Sequence, residues 1–178
     1  TGNQTAITDG RGNTTRTTYN GAGWVTKITD PLLYKTEYKF DPNGNQVQLI
    51  KPNGLIYKSA YDELNRLVQT TDSIDQTETI FYDSNGNMEQ KIDVRGTMWD
   101  YEYSTSNMLE HIYATKKDED TFDYFTHYCY DDAGNMLSVE DPENIINYVP
   151  NELNQITRID KTFGGITYTK TYDYTPGG

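Results

Sequence analysis

The chain has 178 residues, 34% of them hydrophobic and 16 of them Tyr, with a formal net charge of −12. Such an acidic surface excludes a phosphate-binding face of clustered Lys and Arg, so nucleic acid is not an expected partner. The single cysteine, Cys129, excludes an internal disulfide framework, and no apolar run approaches the roughly 20 residues of a membrane helix, so no membrane insertion is expected.

The first residues already lie inside a repeat, and no charged-then-apolar signal peptide opens the chain. It therefore reads as a single repeat region, 1–178, cut from a longer chain. In chain order, the aromatic anchors Tyr19, Phe40, Tyr61, Tyr82 and Tyr103 fall 21 residues apart, and Tyr130, Pro150 and Tyr172 follow at spacings of 27, 20 and 22. Self-similarity at a fixed period marks a repeat architecture in which each unit is one supersecondary element. Eight copies or part-copies fill nearly the whole chain.

After each anchor comes Asn20, Asp41, Asp62, Asp83, Ser104, Asp131, Asn151 or Asp173, short polar residues suited to the first position of a type I turn. Four residues past the anchor stand Gly23, Gly44, Asn65, Gly86, Asn107, Gly134 and Asn154. Gly and Asn enter left-handed backbone most cheaply, and a type I turn followed by one left-handed residue is a common hairpin connection. A second turn falls about ten residues later, at "TDGRG", "TDPLL", "IKPNG", "TDSID", "IDVRG" and "EDPEN". Two turns per period leave strands of six or seven residues, ~20–23 Å long. The prediction is an all-β antiparallel meander of about eight hairpins. Some sixteen strands at ordinary twist are expected to curl, as part of a spiralling shell or barrel.

Alternation supports strands. Tyr103, Tyr101 and Trp99, Tyr61 and Tyr57, Phe40 and Tyr38, and Tyr130, Tyr128 and Tyr124 fall on one face, while Arg16, Glu37, Lys58, Asp100, Glu102 and His127 fall on the other. Core packing is the expected role of the aromatic row, with stacking on sugar rings as its rival. Six extra residues between Tyr103 and Tyr130 enlarge a hairpin loop around 114–122, read as a solvated tip.

The motifs "YDELNRL" (61–67), "YDSNGNM" (82–88) and "YDDAGNM" (130–136), with "EDPEN", resemble the RHS/YD-repeat family. The resemblance recurs in register along essentially the whole chain. "YSTSNML" from Tyr103 lacks the Asp, "PNELNQI" from Pro150 lacks the Tyr, and the final "YDYTPGG" puts Pro176 where the left-handed residue belongs. The resemblance implies a long β-sheet spiralling into a hollow shell. In bacterial polymorphic toxins and insecticidal toxin complexes such shells enclose a toxic polypeptide, and teneurins carry related repeats at the cell surface. It also implies a secreted or surface protein whose partners are the rest of its parent chain and the enclosed polypeptide. The self-cleaving segment of family shells has no counterpart among these residues.

No catalytic, cofactor-binding or metal-binding residue is expected. The Asp/Asn loops place Gly fourth, not sixth, and lack the Glu of a calcium-binding EF-hand loop. His127 and Cys129 lie two apart without a third ligand nearby in sequence, and read as incidental surface positions. The leading expectation is a non-enzymatic wall segment of a toxin-enclosing shell. The alternative is a module that binds carbohydrate or a cell-surface protein. Unpaired edge strands also predict self-association of the fragment.

Overall fold

The computed structural model describes residues 2–117 and 124–175. Every regular element in them is a β-strand, and together they form an all-β antiparallel meander of sixteen strands. They are β1 Ala6–Thr8, β2 Thr14–Tyr19, β3 Val25–Thr29, β4 Lys35–Phe40, β5 Gln46–Ile50, β6 Ile56–Tyr61, β7 Leu67–Asp72 and β8 Thr77–Tyr82. Then follow β9 Met88–Ile92, β10 Met98–Tyr103, β11 Leu109–Thr115, β12 Tyr124–Tyr130, β13 Met136–Glu140, β14 Asn144–Pro150, β15 Ile156–Phe163 and β16 Ile166–Thr171. The chain divides into two compact units, Thr1–Ile80 and Phe81–Gly178, with the boundary inside β8.

In the first unit each strand from β1 to β8 pairs antiparallel with the next. In the second the same holds from β9 to β16. The ladder slips by one residue just before an anchor, between Thr18 and Tyr19, Lys39 and Phe40, Ala60 and Tyr61, Glu102 and Tyr103, Cys129 and Tyr130, and Val149 and Pro150. A type I turn closed by a left-handed residue inserts one extra residue on one side of the hairpin, which is the slip observed.

Packing departs from the expectation of an aromatic core. Among the described residues only Ile80 and Ala114 are buried hydrophobics, and Thr115 and Thr126 are the buried polar ones. Tyr38, Tyr57, Tyr61, Tyr101 and Tyr128 are half-buried, and Tyr124 is exposed. Surface area agrees: the chain exposes 12485 Å², where a globular monomer of its mass exposes ~8,800 Å². The physical reason is that alternation selects a sheet face but supplies nothing to cover it. Neighbouring side chains on that face shield one another only at their flanks.

The enlarged hairpin is shorter than expected at its start. Ala114 and Thr115, assigned to the loop from sequence, are the buried last residues of β11, with Ala114 in register with Trp99 on one side and Tyr124 on the other. Trp99 and Tyr124 approach to 6.3 Å between ring centroids, and small side chains are what fit between neighbouring rows of large rings. Residues 118–123 of that hairpin lie outside the described residues.

Candidate functional site

The repeated feature with the most determined chemistry is the turn after each anchor. At residues 41–45, Asp41 Oδ1 accepts the backbone N–H groups of Asn43 and Asn45, both at 2.9 Å, and Oδ2 accepts Asn45 Nδ2 at 2.9 Å. The N–H of Gly44 donates to Asp41 O, and the N–H of Asp41 to Asn45 O. One carboxylate thus holds two backbone donors that the tight turn would otherwise leave to water. The same arrangement recurs with Asp83 and Asn87 and with Asp131 and Asn135, while at Asp62 the Oδ2 partner is Arg66 Nε at 2.7 Å. Asn20 and Asn151 replace the carboxylate with an amide oxygen, and Ser104 retains a single such bond, from the Met108 N–H.

The left-handed column has φ of 86° at Gly23, 93° at Gly44, 61° at Asn65, 91° at Gly86, 65° at Asn107, 84° at Gly134 and 59° at Asn154. A second left-handed column, unread in the sequence, lies in the intervening turns at Gly12, Leu33, Gly54, Asp75 and Gly96. Leu33 (φ 68°) and Asp75 (φ 59°) hid it, since Leu rarely adopts this backbone and Asp, which tolerates it, is common elsewhere in turns. Asp9, Asp30, Asp72 and Asp93 open four of these turns with the same pair of backbone bonds. The turn between β15 and β16 was also missed. Gly164 and Gly165, both at positive φ, form a two-residue connection that the Gly-Gly dipeptide signals.

The anchors are half-buried at strand ends, and their hydroxyls explain the preference for Tyr over Phe. Tyr19 donates to Gln4 O at 2.8 Å, Tyr61 to Gln46 O at 3.1 Å, Tyr103 to Met88 O at 3.1 Å and Tyr130 to Leu109 O at 2.9 Å. For Tyr61, Tyr103 and Tyr130 the acceptor is the first residue of the preceding strand, so the ring spans the open end of a hairpin and fastens it beside the next turn. Phe40 and Pro150 have no hydroxyl with which to do this. Tyr82 ends β8. In the last copy the role passes from the anchor Tyr172, just beyond β16, to Tyr174, whose hydroxyl donates to Ile156 O at 2.7 Å.

Turns one period apart also touch through side chains. The residue following the left-handed position of one turn lies against the left-handed residue of the next. Asn45 Nδ2 donates to Asn65 Oδ1 at 2.8 Å, with Asn43 Nδ2 adding a second bond at 3.1 Å. Asn87 and Asn107 exchange amide bonds of 2.6 and 3.0 Å. At two of the Gly positions an apolar side chain takes that place: a Cβ on Gly44 would sit 2.9 Å from Trp24 Cζ2, and one on Gly134 would sit 3.4 Å from Met108 Sδ, while at Gly23 the neighbour is Asn3 Nδ2 at 3.5 Å. At Gly44, Asn65, Asn107 and Gly134 the residue in the column thus complements what the preceding turn presents.

These contacts shift the carboxylates. Side-chain hydrogen bonds from Asn13, Asn45, Asn87 and Asn135 hold Asp9, Asp41, Asp83 and Asp131 below the ordinary carboxylate range, and backbone N–H groups add to the effect. Asp62 is lowered chiefly by the Arg66 backbone N–H. Desolvation raises the Tyr103, Tyr128 and Tyr130 phenols.

One grouping was invisible in sequence. His127, read with Cys129 as incidental, is directly opposite His111 in the β11–β12 ladder, and the two imidazoles stack at 4.6 Å with planes 5° apart. Cross-strand register, not sequence spacing, creates this pair.

Repeated turns, clipped strands and a half-exposed face define an all-β repeat protein. Residues 1–32 match the family model described as the RHS repeat. The crystal structure of TcdB2-TccC3-Cdc42 is similar to it at a TM-score of 0.80 and 16% identity, over 93% of this chain and 11% of that one. A crystal structure of TcdB2-TccC3 gives 0.79 and 16%, over 92% and 11%. A Photorhabdus luminescens Tc holotoxin pore gives 0.80 and 16%, over 93% and 11%. The chain thus spans about a ninth of these chains and shares their fold. No curated protein matches the sequence.

Proposed function

We propose that this chain is a stretch of wall in an RHS-repeat shell that encloses a toxin or effector polypeptide, contributing structure and no chemistry of its own. The observation that carries the reading is the coupling of turns one period apart through Asn45 and Asn65, Asn87 and Asn107, and Trp24 and Gly44. Each hairpin is held by the ones before and after it, so the sheet extends by adding repeats instead of burying a core. Likeness to TcdB2-TccC3 and Tc holotoxin structures supports a role in a secreted bacterial toxin assembly. The partners are then the remainder of the parent chain and the polypeptide it encloses.

Protease protection of the full-length parent protein tests this. The enclosed polypeptide is expected to survive digestion until denaturant opens the wall, and to be cut earlier when Gly44 is replaced by Val. Equal digestion in the parent protein and in a version without the repeat region would overturn the reading.

A further inference from the structure

Successive turns of an antiparallel meander fall on opposite rims of the sheet. The first-unit turns at 9–13, 30–34, 51–55 and 72–76 therefore share one rim, with neighbours two strands or ~10 Å apart. That rim carries large apolar side chains. Leu32 and Leu33 are each 76% exposed, and Tyr34, Leu55 and Ile74 are exposed along the same rim. Among the described residues, the opposite rim of this unit, at 20–24, 41–45 and 62–66, exposes only Leu64 in this way. Leu33 is also held at φ 68°, backbone that Leu adopts at a cost, and its exposure means that packing within the chain does not offset that cost.

Asp30 fixes the tip. Its Oδ1 accepts the N–H of Leu32 at 2.8 Å and that of Tyr34 at 2.9 Å, and its carbonyl accepts the N–H of Leu33 at 3.0 Å. Leu32 and Leu33 thus stand on a pre-ordered knob that has little backbone freedom to lose on contact. Between this turn and the 9–13 turn lies an open cleft of about 310 Å³, lined by Gly12, Thr14, Arg16, Thr29, Pro31 and Leu33.

We propose that this rim is a contact between two copies of the chain related by a two-fold axis, with Leu32 of each seated in the cleft of the other. Knob and cleft adjoin on one rim, since Leu33 belongs to both, so a single two-fold rotation seats both knobs and closes the contact. Charge selects the first unit for it. Thr1–Ile80 holds eight Lys and Arg against nine Asp and Glu, and Phe81–Gly178 holds seven against eighteen, so the first unit carries −1 of the net −12 and the second −11. Copies that meet through the first unit bring almost no net charge together, whereas contact through the second sets two strongly negative surfaces against each other. The strand edges are poorer candidates for the same reason and one other: β16 lies in the acidic unit, and β1, with three residues, is a short template. A contact of so few side chains belongs to the small, reversible class of interfaces.

Sedimentation equilibrium over about a hundredfold range of concentration is the test, and a reversible monomer–dimer equilibrium is expected by mass action. The dimer should persist in high salt, because its contact is apolar. Leu32→Asp alters an exposed turn position that accepts Asp, so circular dichroism should show an intact fold while the dimer weakens by at least about tenfold. Leu33→Gly should also weaken the dimer while raising the thermal midpoint of the dilute monomer, a split that a purely local role for Leu33 would not produce. A strict monomer at every concentration, or a dimer undiminished in folded Leu32→Asp, would overturn the assignment. So would Leu32-dependent binding of the chain to phosphatidylcholine vesicles, which would make a lipid surface the partner of this rim.

Discussion

The Gly44 and Asn65 turns, one period apart in the first unit, share a backbone path but differ in what holds them in the stack. At Gly44 the indole of Trp24 fills the space a side chain would occupy, and Trp24 is itself tilted against Phe40 at 5.4 Å. At Asn65 the side chain is present and accepts two amide donors from the turn before it. A single geometric requirement, one left-handed residue, is thus met by two chemistries. The choice depends on a residue some twenty positions upstream. Gly and Asn are therefore not interchangeable in this column, although either satisfies the local turn.

The largest expected effect acts on five carboxylate turns at once and spares the turns held by Asn20, Ser104 and Asn151. The folded-state pKa values of Asp9, Asp41, Asp62, Asp83 and Asp131 are lowered, so the stability they supply is fully present above the unfolded carboxylate value of about 3.9 and is lost as pH falls through their folded values. Hydrogen exchange through that acid range should show the Asn45, Asn87 and Asn135 amides losing protection before those of Trp24, Met108 and Gln155, whose acceptors on Asn20, Ser104 and Asn151 do not titrate. Simultaneous loss would mean that the carboxylates do not govern the turns.

Next in size is Gly44→Val. A β-branched residue at φ 93° costs about 1–3 kcal/mol, and its Cβ also collides with the Trp24 ring. Gly134→Ala meets only the flexible Met108 thioether at contact distance and should lose about 1–2 kcal/mol. Thermal melts that rank these two the other way would break the link between Trp24 and Gly44.

Asn65→Gly sharpens the same contrast, because it keeps the backbone and removes only the acceptor. A loss of about 0.5–1.5 kcal/mol is expected, and a double variant with Asn45→Ala should cost less than the sum of the two single changes. Strict additivity in chemical denaturation would show that the amide bond between the turns contributes nothing.

The smallest effect has the opposite sign. Leu33 is 76% exposed at φ 68°, so Leu33→Gly relieves backbone strain with little packing to lose, and should stabilise by about 0.5–1 kcal/mol. An unchanged or lowered midpoint would show that Leu33 has a partner that offsets its strain.

These comparisons indicate which parts of the molecule were legible in the sequence. The anchor-turn column was legible because few residue types tolerate left-handed backbone, and all seven positions carry Gly or Asn. The second column was obscured by Leu33 and Asp75, which occupy the same geometry without advertising it. Strand faces followed from alternation, yet cover over the aromatic face did not, since a period of two says which side chains share a face and nothing about what lies above them. The His111–His127 pair depends on the register of β11 against β12, and register across an enlarged loop is not set by local turn chemistry.

The scarcity of buried apolar side chains has a calorimetric consequence. Unfolding heat capacity grows with the apolar area newly exposed to water, and a chain whose buried hydrophobics among the described residues are Ile80 and Ala114, the other strand residues being mostly half-buried, exposes less of it than a globular domain of its size. Its value per residue should fall below the ~12–15 cal/mol/K of ordinary globular domains. The stability curve is then broad and flat, so that cooling costs this protein little of the stability it has at room temperature.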